Sequence, residues 1–345
     1  MARRKSTRLS RVGKIEPSIL SMTFQLSNPV QDPANPLTDL YYIDLSQCAS
    51  LLNRRFYRQG LNWAVAGIKV ISLDNGAVSV AKLPNTWVLA NAWKKSMSIW
   101  NRMNSEALLE STSLRPRFLD FKVYANQFHH TAGYIGNQMP VSAQTVALPG
   151  EWESSKIFIP NATNAAAATT QDFEIIATGS SFPGIGASGL NALSMIEGYA
   201  ASRLLPNVLD PNTPGDSDDT GGVTPENWMS AVFNEGNVQM SEVIEELTTE
   251  NNIAPYPFEN DGTAVDTMYP GGGNQLVGLE YHDTSNVTST TVSGITRLKG
   301  GNFPCGLIQV STKIAEGSGG MNVGLIIDMI PGSSRGYLTE PMQDM

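Results

Sequence analysis

Six cations and no carboxylate fall within the first fourteen residues, MARRKSTRLSRVGK: Arg3, Arg4, Lys5, Arg8, Arg11 and Lys14. Like charges this closely spaced repel one another and stay hydrated, and they build no core. The chemistry open to them is electrostatic capture of a polyanion. A second group, Arg54, Arg55 and Arg58, stands beside Phe56 and Tyr57. Guanidinium groups there can hold phosphate oxygens, or equally make a solvated helix face or subunit salt bridges. Phosphate contacts from these nine residues would depend on salt and ignore base sequence.

The rest of the chain sharpens the contrast. Residues 1–122 hold 17 Lys and Arg against 8 Asp and Glu, while residues 123–345 hold 6 against 24, giving a net charge of −9. Charge segregated this strongly can present a basic face to one partner and an acidic face to solvent. As a mitochondrial presequence the basic segment lacks an apolar face; a nuclear-localisation patch is compatible with it. No apolar stretch reaches the eighteen or so residues of a membrane span, and no apolar signal core follows the basic residues. The expectation is a soluble chain, not inserted in a membrane or secreted by the usual signal.

Catalytic and metal signatures are absent from the sequence. The three histidines are His129, His130 and His282. The adjacent pair is expected to follow a strand, with its rings on opposite sides, which makes a poor bidentate metal site. No HExxH, GxSxG, Walker or kinase pattern occurs, and the glycine clusters 271–273 and 317–320 lack the Lys-Ser/Thr and helix that phosphate binding needs. Asp216, Ser217, Asp218 and Asp219 could hold a hard cation or form a solvated loop. Cys48 and Cys305, without a CxxC pair, read as small buried apolar residues. No enzyme, cofactor or metal is expected.

Charged residues make up only 16% of the chain, beside 31 Gly and 20 Pro, a mixture that suits many short strands joined by turns. Strands are expected at 18–27, 40–45, 117–124, 157–159, 173–176, 276–282, 290–298, 307–313 and 323–330. Between residues 63 and 83 the sequence Asp74-Asn75-Gly76, flanked by Val- and Ile-rich runs, predicts a β-hairpin. Ser46 is placed to cap a short helix reaching Arg54, Arg55 and Arg58. Leu89, Trp93, Met97, Trp100 and Met103 recur at helical spacing and predict the longest helix over 87–110, and 189–205 predicts another. Acidic helices are expected within 227–250. Residues 1–18 are read as a basic arm, 19–345 as a β domain, and about 181–270 as an acidic helix and loop insertion within it.

Several stretches carry a family likeness: Tyr42-Ile43-Asp44-Leu45-Ser46, the run Leu51 to Gly60, Lys82-Leu83-Pro84-Asn85-Thr86-Trp87, Ile196-Glu197-Gly198-Tyr199 and Gly300 to Leu307. In these the chain resembles capsid proteins of small circular replicase-encoding single-stranded DNA viruses, in the circovirus and smacovirus neighbourhood. The resemblance implies a mainly β fold, a single eight-stranded antiparallel jelly roll with helical and loop insertions. It implies a structural protein that assembles with itself into an icosahedral shell of sixty copies or a multiple, encloses circular single-stranded DNA and meets a host receptor. Location would be the virion, with the host nucleus open during assembly. The family's arms are usually longer and denser in Arg than this one. From another class, a non-viral β-sandwich module binding glycans or surfaces would use Trp152, Trp228 and Tyr269 as stacking platforms.

Overall fold

The computed structural model describes residues 17–29, 38–110, 113, 120–142, 147, 152–161, 169–203, 228–231, 278–291, 294–315 and 320–344. The fold is mainly β, with antiparallel sheets. In chain order the elements are β1 Ser21–Pro29, β2 Thr38–Asp44, α1 Leu45–Asn53, β3 Leu61–Ile71, β4 Gly76–Lys82, α2 Trp87–Glu110 and α3 Gln127–Ala132. There follow β5 Lys156–Asn161, β6 Thr169–Ile176, β7 Asn191–Ser194, α4 Met195–Arg203 and α5 Trp228–Ala231. The chain closes with β8 Glu280–Val287, β9 Ile295–Phe303, β10 Leu307–Ile314, β11 Gly320–Met329, β12 Pro331–Gly332, β13 Gly336–Tyr337 and β14 Thr339–Pro341.

One antiparallel sheet runs β1-β11-β3-β9; the other runs β2-β10-β4-β8. Trp63 of β3 pairs with both Phe303 and Thr339, so β14 prolongs the β11 side of the first sheet. Alternation along the strands turns apolar side chains inward. Met22, Phe24 and Leu26 of β1 and Val323, Leu325 and Ile327 of β11 share one buried cluster with Val78 and Val80 of β4 and Ile308 and Val310 of β10. Each such side chain contributes about 1.5–3 kcal/mol on burial, and the shared cluster fixes which face of each strand points inward. The sheets approach at one margin, where Asp283 Oδ2 accepts the Lys299 N–H at 2.9 Å and His282 Nε2 lies 3.0 Å from Lys299 O.

Residues 83–279, between β4 and β8, carry a second apolar cluster. It joins Leu89, Trp93 and Trp100 of α2 to Ile157 and Ile159 of β5, Phe173 and Ile175 of β6, and Trp228. Here β6 pairs antiparallel with β5 and parallel with β7. Among the described residues no helix is long and apolar enough to cross a membrane.

Several expectations are corrected. The Asn-Gly segment does not close a hairpin: β3 and β4 belong to different sheets, and the connection passes from one to the other at the surface. The turn residues bind two other loops and the start of β11. Asn75 O accepts from Ala315 N at 3.1 Å, Asn75 Oδ1 from Ser289 N at 2.8 Å, and Asp74 Oδ2 from Asn322 N at 2.8 Å. Gly76 is needed for close approach, since a Cβ there would sit 2.4 Å from the Lys313 carbonyl oxygen. The helix expected over 189–205 begins as β7, because Asn191–Ser194 pairs with Phe173–Ile176, and turns helical only at Met195. The described part of 117–124 forms no regular strand, only a bridge from Tyr124 to Ile176. β8 and β9 start about five residues later than expected. The expected acidic helices of 227–250 lie outside the described residues except for α5.

Candidate nucleic-acid interface

Arg3, Arg4, Lys5, Arg8, Arg11 and Lys14 lie outside the described residues, as do Asp216–Asp219 and Tyr269. The structure does fix where the chain enters the fold. Ser18 Oγ donates to Gly336 O at 3.1 Å, Ile19 N to Asn53 Oδ1 at 3.0 Å, and Tyr337 OH to Ile19 O at 2.7 Å. Asn53 Nδ2 in turn donates to Tyr337 OH at 2.7 Å, and Arg55 Nη1 donates to Pro17 O at 3.3 Å. The first described residues are therefore bound to the C-terminal end of α1.

That end is where the second basic group sits. The cap at the start of α1 is Asp44, not Ser46: Asp44 Oδ1 accepts from Ser46 N at 2.9 Å and from Gln47 N at 3.3 Å. The helix stops at Asn53 because Arg54 turns left-handed, with φ 51° and ψ 38°, a conformation that costs a non-glycine residue about 1 kcal/mol or more. Arg55 and Arg58 thus lie beyond the helix, in a segment folded back onto it. Tyr57 N donates to Ser50 Oγ at 2.9 Å, and the buried Tyr57 donates its hydroxyl to Arg335 O at 2.9 Å. Arg54 and Arg58 are exposed and Arg55 is half-buried.

Arg335 completes the group, although no pattern in the sequence ties it to residues 54–58. It is exposed, left-handed at φ 51°, and its Nη1 donates to Phe56 O at 2.6 Å. The Ser-Ser-Arg-Gly stretch around it reads as an ordinary turn; only the pairing of β12 with β13 returns it to residues 54–58. The structure brings together Arg54, Arg55, Arg58, Arg335 and the entry of the chain from the basic segment.

Beside this group a cavity of about 650 Å³ opens between residues 56–61, α2, Asp120 and Phe121, and the 334–335 turn. In its wall, burial raises the Asp120 carboxyl to about 6, against the lowering effect of Lys122, whose Nζ lies 3.3 Å away, and of Arg58.

The histidine pair occupies α3, not a strand end, and both rings are buried. His129 Nδ1 accepts from Ala125 N at 3.1 Å, so Nε2 carries the proton and donates to Asn137 Oδ1 at 2.7 Å. The ring stacks on Tyr42 with centroids 4.2 Å apart. Burial drives its pKa down to about 3. His130 Nε2 instead lies 3.0 Å from Glu174 Oε2. The two imidazoles share no ligand, and among the described residues no group of three His, Cys, Asp or Glu is placed to hold a metal. Cys48 and Cys305 are buried and unpaired, as expected. Trp152 and Trp228 are buried too, donating to Asp44 Oδ2 at 2.8 Å and Ser194 O at 3.1 Å, so neither presents a ring face to a sugar.

Two of these groups make stability respond to acid in opposite senses. An unfolded His129 takes a proton below about pH 6.5 and the folded one does not, so stability falls by up to about 1.4 kcal/mol per pH unit from 6.5 toward 3. Asp120 is protonated more readily folded than unfolded, so its burial penalty, full above pH 6, is relieved between about 6 and 3.8. Asp120→Asn should therefore steepen the drop in urea midpoint between pH 6 and 4. Parallel profiles for the variant and wild type would refute the assignment.

No protein-family model, curated protein or solved structure matches the chain.

Proposed function

We propose that this protein is a capsid protein, a jelly roll that self-assembles into a closed shell around single-stranded DNA. The observation that carries the reading is strand order. Counting only the eight strands of the two large sheets, in chain order, the first sheet runs 1-8-3-6 and the second 2-7-4-5. That order is two interleaved Greek keys, the arrangement of jelly rolls, which recur in viral shells and in lectins. The β3–β4 connection that crosses from sheet to sheet belongs to the same pattern. The longest excursion, residues 83–279, lies between the fourth and fifth of these strands, and α1 lies between the second and third.

Charge favours the shell over the lectin. The basic segment enters the fold next to Arg54, Arg55, Arg58 and Arg335, and a cationic patch repeated over a shell adds many weak phosphate contacts into stable retention. The acidic remainder would form the wall. Sixty copies would bring ~360 arm charges, so genome neutralisation by the arm would be partial, with counterions and the arginines at its root supplying more. The tryptophans a glycan-binding module would use are buried.

Negative-stain microscopy of the purified protein, with nuclease treatment before nucleic-acid extraction, tests the proposal. Closed particles of uniform size holding nuclease-protected single-stranded DNA are expected. Monomers and small oligomers alone, across a range of salt and pH, would overturn it.

A further inference from the structure

The cavity next to the arginine group has a composition that neither shell assembly nor the basic segment requires. Its floor is aromatic. Trp93 and Trp100 of α2 pack against Phe121 with centroids 4.9 Å and 5.5 Å apart, and all three are at least nine-tenths buried. Phe56 stands at the rim, 36% exposed. The remaining rim is polar: Arg58, Arg335, Asn101 and Gln343 line the opening and are exposed. We propose that this cavity is a binding site for one nucleotide of a single-stranded nucleic acid, its base on the exposed ring of Phe56 at the rim and its phosphate on Arg58 and Arg335. The inference rests on the nucleic-acid reading above and gives it a built site.

Three observations select that ligand. A volume of about 650 Å³ falls within the range of roughly 300–1,000 Å³ typical of sites for small organic groups. An exposed aromatic face such as that of Phe56 holds any base by stacking, and guanidinium groups beside it hold the phosphate that follows, the combination by which proteins take single strands without reading sequence. The amides of Asn101 and Gln343 carry both donors and acceptors, so they suit several base edges and select none. The acid in the wall does not oppose this, because both Asp120 carboxylate oxygens are shielded from solvent and Lys122 Nζ lies 3.3 Å from one of them.

The site also adjoins the proposed path of the strand. Arg55 donates to Pro17 O and Arg335 donates to Phe56 O, so a strand held by the basic segment passes the cavity mouth as it follows the chain into the fold. The segment would gather phosphates in bulk, and the cavity would fix one nucleotide at a repeated position.

The test is photo-crosslinking of the full chain to an oligothymidylate carrying one 5-iodouracil, with adducts mapped by mass spectrometry. Adducts are expected on Phe56. Phe56→Ala should lower their yield about tenfold at a salt concentration that screens the basic segment, as loss of a stacked base would. Arg58→Gln, which removes charge without opening the aromatic wall, should lower it as well. Adducts confined to residues 1–16, with binding intact, would overturn the cavity site and leave the nucleic-acid reading standing. A chain that binds no oligonucleotide at all would overturn both.

Discussion

Replacing Arg3, Arg4, Lys5, Arg8, Arg11 and Lys14 together by Gln should flatten the salt dependence of single-stranded DNA binding by about 4 units in log K against log salt, because each single-strand phosphate contact contributes about 0.7. Between 50 and 200 mM salt that difference alone corresponds to an affinity change on the order of 300-fold carried by the segment. The thermal midpoint should not move, since the bonds described at the chain entry are made by Pro17, Ser18 and Ile19. The residual slope should come from the arginines at the entry, and Arg54→Gln with Arg58→Gln should remove a further part of it. Fluorescence anisotropy of a labelled oligonucleotide across a salt series measures both. An unchanged slope would show that the basic segment does not contact phosphate.

What could be read from the sequence follows from where the physical constraint lies. The strands with strict alternation, β1, β10 and β11, were found within a few residues because burial on one face imposes a period of two. The longest helix, Trp87–Glu110, was found because one stripe of Leu, Trp and Met must face the second core. β8 was misplaced for the opposite reason. It is an edge strand with polar residues on both faces, paired among the described residues with β4 alone, and its sequence carries no burial period. The Asn-Gly segment was misread because a permissive turn residue says that the chain reverses, not which sheet it reverses into. That choice is made by Lys313, Ser289 and Asn322, more than two hundred residues away. Arg335 escaped notice on the same ground, since tertiary pairing alone returns it to Phe56. The candidate site is half visible in the sequence: Arg54, Arg55 and Arg58 are legible but Arg335 is not, and its aromatic floor reads as core packing on α2, which it is.

Asp44→Ala should be among the most destabilising single substitutions in the described chain. Asp44 is 1% exposed, at the junction of β2 and α1, and one carboxylate serves both sides of that junction. Its Oδ1 accepts from Ser46 N at 2.9 Å and from Ser46 Oγ at 2.5 Å, while Oδ2 accepts the Trp152 indole N–H at 2.8 Å. Removing it deletes a helix cap, at a cost of about 1 kcal/mol, and leaves a buried indole donor unpaired, at about 1–3 kcal/mol more. A total of about 2–4 kcal/mol is a large share of the roughly 5–15 kcal/mol that holds a typical fold. Asp44→Asn should recover only the cap, because its amide oxygen can accept from the helix while its NH₂ faces the indole donor to donor. Ser46→Ala removes one hydroxyl from the same helix and should cost about 1 kcal/mol. The damage should also be felt at the other end of α1, where Asn53 holds the chain entry: trypsin should cleave after Arg54, Arg55 or Arg58 faster in Asp44→Ala than in Ser46→Ala. Urea midpoints and limited proteolysis on the three variants measure the ranking, and equal midpoints for Asp44→Ala and Ser46→Ala would remove Asp44 from this role.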